Sequence, residues 1–516
     1  MQRHQQVARL RTEPFDLLVI GGGSTGTAIA LDAAARGLRA ALVERGDFAF
    51  GTSSRSTKLI HGGVRYLEQA VRGLDRSQLT LVRHALDERA TLLRIAPHLT
   101  HPLPLATPVY SLWERLYLQA GLTLYDRLAG SRAIGATRFM PRAEAVSRFP
   151  ELRDRSLRGA ILYYDGQFDD ARMCVTLALT AHREGAALAN YLEVTGLSKT
   201  ANRVRGAQVL DRVSGERFAI HARAVVNATG PYADAIRALD EPGPEPLLRV
   251  SAGVHLVFDD VLGSGETGLL IPKTDDGRIL FILPWQGKTL VGTTDEPATV
   301  EADPRPAEGQ IAYLLRHVNR YLRKPLDRSD VRAAWSGLRP LVAAGGSRPT
   351  AALARDHVIV ESSSGLVTVT GGKWTTYRLI AADAVDHVVA SAGLAPTCGC
   401  RTAELPLVGA REYRPDGWER LAAAFGIERE VAQHLHRAYG DRAAGVAEIA
   451  AAGYGAPLAP GFPYVEAEVV WAAREEMALN AGDVLARRTR LAFLDTAAAE
   501  RAKARVDELM QLALQA

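Results

Sequence analysis

Residues 16–26 read DLLVIGGGSTG, and after an alanine-rich run to Gly37 the chain continues as AALVE at 40–44. An apolar run, a glycine turn, a helix-forming stretch and a second apolar run ending in an acid predict a βαβ unit. The glycines fit G-x-G-x-x-G: Gly21 for a tight turn, Gly23 so that backbone approaches a pyrophosphate, and Gly26 for close packing of helix on strand. Ser24 and Thr25 lie in the same turn, where the helix N-terminus offers free N–H groups and partial positive charge to phosphates. Glu44 stands where a carboxylate accepts ribose hydroxyls and disfavours a 2′-phosphate. The unit predicts a dinucleotide site and leaves FAD and NAD both open.

A chain of 516 residues exceeds one ordinary core, so two or three domains are expected. With 47% hydrophobic and 23% charged residues it reads as globular rather than disordered. The net charge of +4 suits anionic small substrates or an anionic membrane surface, and is too diffuse for nucleic acid. Three cysteines (Cys174, Cys398, Cys400) make no disulfide framework, and no second ligand pair accompanies Cys398 and Cys400, so no metal is expected. Residues 1–13 are basic without an apolar core and read as a tail, not a signal peptide. No run reaches the ~18 apolar residues of a spanning helix.

The stretch GTSSRSTKLIHGGVRYL (51–67), rich in hydroxyls and glycine, predicts a loop pressed on a polar ligand. Thr52, Ser53, Ser54 and Lys58 are placed beside the pyrophosphate, and His61, Gly62 and Gly63 toward the reactive ring. Residues 76–95 pattern as an amphipathic helix. From 111 to 128 a second one carries Trp113, Tyr117, Leu124 and Leu128 on one stripe, near Arg115 and Arg127. That stripe packs a core or dips into a bilayer. ARAVVNATG (222–230) is another buried strand, stopping at Ala228, Thr229 and Gly230; a second strand end beside the dinucleotide favours FAD, which lies across more than one. Strand-like runs dominate 248–295 and predict a mainly antiparallel sheet with one face covered. GGKWTTYR (371–378) repeats strand, glycine pair and helix start, bringing Gly372, Lys373 and Thr375 to the ring. Beyond about residue 400, alanine-rich helices suggest a separate docking or assembly domain.

Together, GGGSTG (21–26), TSS (52–54), KLIHGGVRYL (58–67), NATGP (227–231), GTTD (292–295), GLRPL (337–341) and GGKWTTYR (371–378) resemble the FAD-dependent glycerol-3-phosphate dehydrogenases of bacteria and mitochondria. The helical tail, including DVLARRTR (483–490), resembles that family's C-terminal domain. The resemblance implies an α/β fold. An FAD-binding Rossmann-like domain of the glutathione-reductase type would take residues 14–95, 161–240 and 351–395. An antiparallel-sheet substrate domain would take 96–160 and 241–350, and an all-α domain 401–516.

It further implies oxidation of sn-glycerol 3-phosphate to dihydroxyacetone phosphate, electrons passing through FAD to quinone. The protein would be cytoplasmic, attached peripherally to the inner face of the cell membrane, with a homodimer left open. By position, Arg65, Tyr66, Arg339, Arg355 and Lys373 would form the substrate pocket, where several cations suit a phosphate dianion. His255, matching a family histidine, is the first candidate base and His61 the second, with Arg339 favouring the alkoxide. Trp374 replaces a smaller apolar residue and is expected to leave the chemistry untouched. The absence of a long insertion favours quinone over oxygen, by family analogy. An amine or amino-acid oxidase of the same fold, or a flavin-free escort protein, are the competing readings.

Overall fold

The computed structural model describes residues 1–63, 67, 76–272, 274–343 and 357–515. Its first sheet is built outward from Phe15–Ile20, which pairs in parallel with Ala40–Val43 on one side and Arg217–Asn227 on the other. Ala187–Ala189 and Leu366–Gly371 extend the parallel set, and His357–Glu361 closes it antiparallel. Leu17, Leu18 and Val19 are all buried, as strands covered on both faces require. Helices Ser24–Ala35, Asp170–Arg183 and Tyr377–Ala392 pack one face. The other carries an antiparallel meander, Leu192–Thr200 and Arg203–Asp211 leading into Arg217–Asn227.

The residues expected to be a tail fold as helix Arg3–Thr12. Val7 and Leu10 enter the core beneath the meander, and Arg3 holds Asp211 with both guanidinium arms at 2.7 and 3.2 Å.

The second sheet has ten strands and is antiparallel except where Gly268–Ile271 runs parallel to Thr100–Val109. Gly159–Phe168 belongs to it throughout, paired with Thr100–Val109, so the boundary expected at residue 160 falls inside a strand and the sheet's share runs to Phe168. Leu59–Ile60 also adds to its edge, from within the first FAD-binding segment. Both faces are covered, where one was expected. Helices Arg142–Arg148 and Glu308–Val318 lie against one. The other, carrying Val257, Leu283, Leu290 and Trp335, packs against helix Leu112–Ala129 and the C-terminal helical region.

The C-terminal helices dock on their own chain. Residues 484–494 pack against the second sheet, and buried ion pairs tie this region to the FAD-binding domain: Asp47 to Arg487 and Arg488, Glu476 to Arg172 and Arg488, Asp170 to Arg490 and Lys58.

Candidate active site

A crevice of about 370 Å³ opens at the carboxyl ends of the parallel strands, where α/β sheets place their ligands. Gly21, Gly23, Ser24, Thr25, Glu44, Thr52, Ser53, Ala228, Thr229, Gly230, Gly372 and Lys373 all line it. The backbone there leaves no room for side chains. A Cβ on Gly21, whose φ is +113°, would lie 2.7 Å from the carbonyl oxygen of Ala228, and one on Gly26 would collide with that of Gly21. Ser53 Oγ accepts the Ser24 N–H at 2.9 Å, and the Thr52 hydroxyl donates to the Leu338 carbonyl at 2.5 Å, fastening this wall to the substrate sheet.

Glu44 is at the end of its strand, as expected, and its two oxygens already accept backbone N–H groups, from Gly22 at 2.6 Å and Gly46 at 2.8 Å. Burial raises its pKa, with those two hydrogen bonds opposing. A ribose hydroxyl would use the remaining lone pairs.

Gly26, Ser54, Lys58, His61, Gly62, Gly63 and Thr375 do not line the crevice. Lys58 departs furthest from expectation. Its ammonium is fully buried, donating to Ser54 and Ser56 carbonyls at 3.0 and 3.1 Å and to Asp170 Oδ2 at 2.7 Å. It lies about 5 Å from the ring centres of Trp285 and Trp335. Burial brings its pKa down to about 8, Asp170 opposing. Its side chain therefore points away from the pyrophosphate wall.

His61 N donates to Thr375 Oγ1 at 3.2 Å, and Gly62 N to the buried Tyr125 hydroxyl at 2.7 Å. A Cβ on Gly62 would press on Tyr125 and Leu86, and Gly63 has φ +86°. Tyr125 in turn donates to Asp165 at 2.8 Å, whose partner is Arg89 at 2.7 Å. Trp374 is placed beside the dinucleotide wall. It lines the crevice, and its indole N–H donates to the Ser53 carbonyl at 2.9 Å.

The substrate sheet turns a glycine-floored face toward the loop at 52–58. Pairing sets Gly253 opposite Gly337, and His255 opposite both Trp335 and Gly292. A side chain on Gly253 would collide with the Arg339 guanidinium, one on Gly292 with the His255 ring, and one on Gly337 with Arg55 backbone. The glycines let the guanidinium and the imidazole lie on the sheet beneath the loop at 52–58. The GTTD stretch explains itself here. Arg339 donates to Thr293 Oγ1 at 2.9 Å, the Thr294 carbonyl at 3.0 Å and Asp295 Oδ1 at 3.3 Å.

His255 is 2% exposed, stacked on Trp335 at 5.4 Å, with Nε2 at 3.0 Å from Thr57 Oγ1. Burial, then the charges of Lys58 and Arg339, hold its pKa well below the usual histidine range, so the ring is neutral at pH 7. Arg65, Tyr66 and Arg355 lie outside the described residues. Asp170, Tyr125, Asp165 and Thr57 were missed from sequence; the double acid at 169–170, opening a helix after a strand, was the one available signal.

The cradle fits FAD: a crevice lined by the helix N-terminal residues Ser24 and Thr25, by Glu44, and by glycines where backbone must approach. Comparison with known proteins agrees. A model of the FAD dependent oxidoreductase family matches residues 16–378, and one of the C-terminal domain of alpha-glycerophosphate oxidase matches 400–516. The mitochondrial glycerol-3-phosphate dehydrogenase of Arabidopsis thaliana is 45% identical, covering 99% of this chain and 84% of that protein. That of Mus musculus is 47% identical, covering 98% and 72%. The solved glycerol-3-phosphate dehydrogenase from Bacillus halodurans, complexed with FAD, superposes with a TM-score of 0.80 at 30% identity, covering 99% and 93%. The chain is a flavoprotein with FAD as its cofactor, and it belongs to the family of FAD-dependent glycerol-3-phosphate dehydrogenases.

Proposed function

We propose that this protein oxidises sn-glycerol 3-phosphate to dihydroxyacetone phosphate while docked on the inner face of the cell membrane, and passes the electrons to quinone. FAD supplies the acceptor for the hydride that leaves C2. The rest falls to the chain's own side chains. Arg339, pinned by Thr293, Thr294 and Asp295, offers a preset planar fork to the phosphate or to the developing alkoxide. Lys373, with Arg65, Tyr66 and Arg355 by family position, completes the anion site. His255, held neutral, takes the hydroxyl proton, and His61 is the second candidate. Arrival of a phosphate dianion beside two cations eases the charging of that imidazole. The observation that carries the reading is the glycine-floored face that brings Arg339 and His255 together beneath the flavin-wall loop.

Membrane docking is supported by helix Leu112–Ala129. Leu112, Trp113, Leu116, Tyr117 and Leu124 are exposed along it, Trp113 by 75%, while Leu122, Tyr125 and Ala129 are buried. An apolar face rimmed by arginines fits a helix lying in a headgroup layer. Leu128, expected on the stripe, packs against Leu67, Val82 and Leu86 instead. No helix among the described residues is long and apolar enough to cross a membrane.

The deciding experiment is anaerobic addition of glycerol 3-phosphate to the yellow protein. Loss of the flavin absorbance is expected. Bleaching by an amino acid, and not by glycerol 3-phosphate, would transfer the protein to the oxidases.

A further inference from the structure

Buried His255 meets the site through one neighbour. Its Nε2 lies 3.0 Å from Thr57 Oγ1, and its Nδ1 is enclosed without a hydrogen-bond partner among the described residues. Among the described residues no carboxylate or carbonyl fixes the ring's tautomer, as a base's orienting partner commonly does. Thr57 alone addresses the ring by a hydrogen bond among those residues, and unlike His255 it is partly exposed.

Thr57 is itself held on both sides by Asp170. Oδ2 of that buried carboxylate accepts the Ser56 N–H at 3.0 Å, the Ser56 hydroxyl at 2.7 Å and the Lys58 ammonium at 2.7 Å. Lys58 N donates back to Ser56 Oγ at 3.0 Å, and Lys58 takes a left-handed φ of +64°. From the helical domain, Arg490 donates to the Ser54 carbonyl at 2.7 Å and to Asp170 Oδ1 at 3.3 Å. A loop so bonded to a buried carboxylate does not relax when one hydroxyl is removed, so the aim of Thr57 is a fixed property of the fold.

We propose that Thr57 relays the substrate proton to His255. The inference rests on the reading of His255 as the base. With FAD bound to accept the hydride from C2, the C2 hydroxyl proton would pass to Thr57 Oγ. The threonine's own proton passes to His255 Nε2. A carbonyl forms at C2, threonine ends as it began, and the imidazolium holds the proton until it is lost to solvent.

The test is anaerobic flavin reduction by glycerol 3-phosphate in Thr57→Val, Thr57→Ser and His255→Gln proteins that retain the parent's flavin spectrum. Thr57→Val, equal in shape but without a hydroxyl, should slow reduction by about 100-fold, the lower range for loss of a general base. The substrate concentration giving half-maximal rate should stay near the parent's, Thr57→Ser should restore the rate, and the double variant with His255→Gln should be no slower than either single one. A parent-like rate in Thr57→Val beside a slow His255→Gln would overturn the relay and leave His255 as the base. Parent-like rates in both would remove the base itself. Should Thr57→Val lose its flavin, the comparison passes to Thr57→Ala against Thr57→Ser, and equal rates there overturn the relay.

Discussion

Arg172 and Glu476 meet fork to fork across the junction of the FAD-binding and helical domains, Nη1 to Oε2 at 2.6 Å and Nη2 to Oε1 at 3.1 Å, with both side chains buried. Burial works to raise the Glu476 pKa, yet Arg172, then Arg488 and Arg442, hold it down to about 2. A carboxylate depressed in the folded state contributes stability above its unfolded value near 4.5, lost as pH falls from there toward about 2. Glu476→Gln should cost about 3–5 kcal/mol, because it strands buried arginines without their counter-charge. Denaturant titration followed by tryptophan fluorescence checks this, since the Trp471 indole sits 3.3 Å from Glu476 Oε1. An unchanged midpoint would contradict it.

His98 sets a second pH dependence at the same junction. Burial, then the nearby charges of Arg172, His436 and Arg442, lower its pKa from 6.5 to about 3. A histidine buried neutral destabilises the fold on acidification, so stability should fall as pH drops below 6.5. In His98→Gln the slope of stability between pH 6.5 and 4.5 should be shallower than in the parent, as read by chemical denaturation at each pH.

Arg339→Ala should keep its flavin, since the guanidinium contacts the substrate sheet and not the glycine turn. Losing a charge-assisted bond of about 1.5–3 kcal/mol should raise the half-saturating glycerol 3-phosphate concentration roughly 10- to 100-fold and slow flavin reduction. Arg339→Lys should rescue poorly, because a point charge does not reproduce a fork that reaches Thr293, Thr294 and Asp295 together. Stopped-flow reduction measures both.

Trp113→Glu combined with Leu116→Glu should abolish flotation with anionic liposomes while leaving dye-linked oxidation of glycerol 3-phosphate intact. These side chains are 75% and 55% exposed, so stability should move by no more than about 0.5 kcal/mol. Flotation equal to the parent's would place the anchor elsewhere.

The first βαβ unit was legible because its signals are local: a buried run, glycines at fixed offsets, an acid after the next run. What escaped depends on partners far along the chain. Gly159–Phe168 is apolar enough for either sheet, and only its pairing with Thr100–Val109 assigns it. Lys58 sits among hydroxyls that suggest a phosphate, but its counter-charge is Asp170, remote in sequence. Helix Arg3–Thr12 is polar almost throughout and buries little beyond Val7 and Leu10, so periodicity gives it no signature. Arg339 and His255 drew notice through motif resemblance; the glycines that clear their places, Gly253, Gly292 and Gly337, are intelligible only once three strands lie side by side.

The interleaving of the parallel sheet also orders the protein's birth. Phe15–Ile20 waits beside Ala40–Val43 for a neighbour, Arg217–Asn227, that emerges from the ribosome some two hundred residues later, and that strand waits again for Val367 to face Val226. Pairings of such long range close slowly and leave edges exposed meanwhile. The flavin cleft is incomplete until Gly372 and Lys373 have been made, and the clamp through Arg487, Arg488 and Arg490 comes last of all. A nascent chain stalled before residue 480 would therefore leave bare the second sheet's face at Val257, Leu283, Leu290 and Trp335, which makes the final stretch of synthesis the interval in which a chaperone has most to protect.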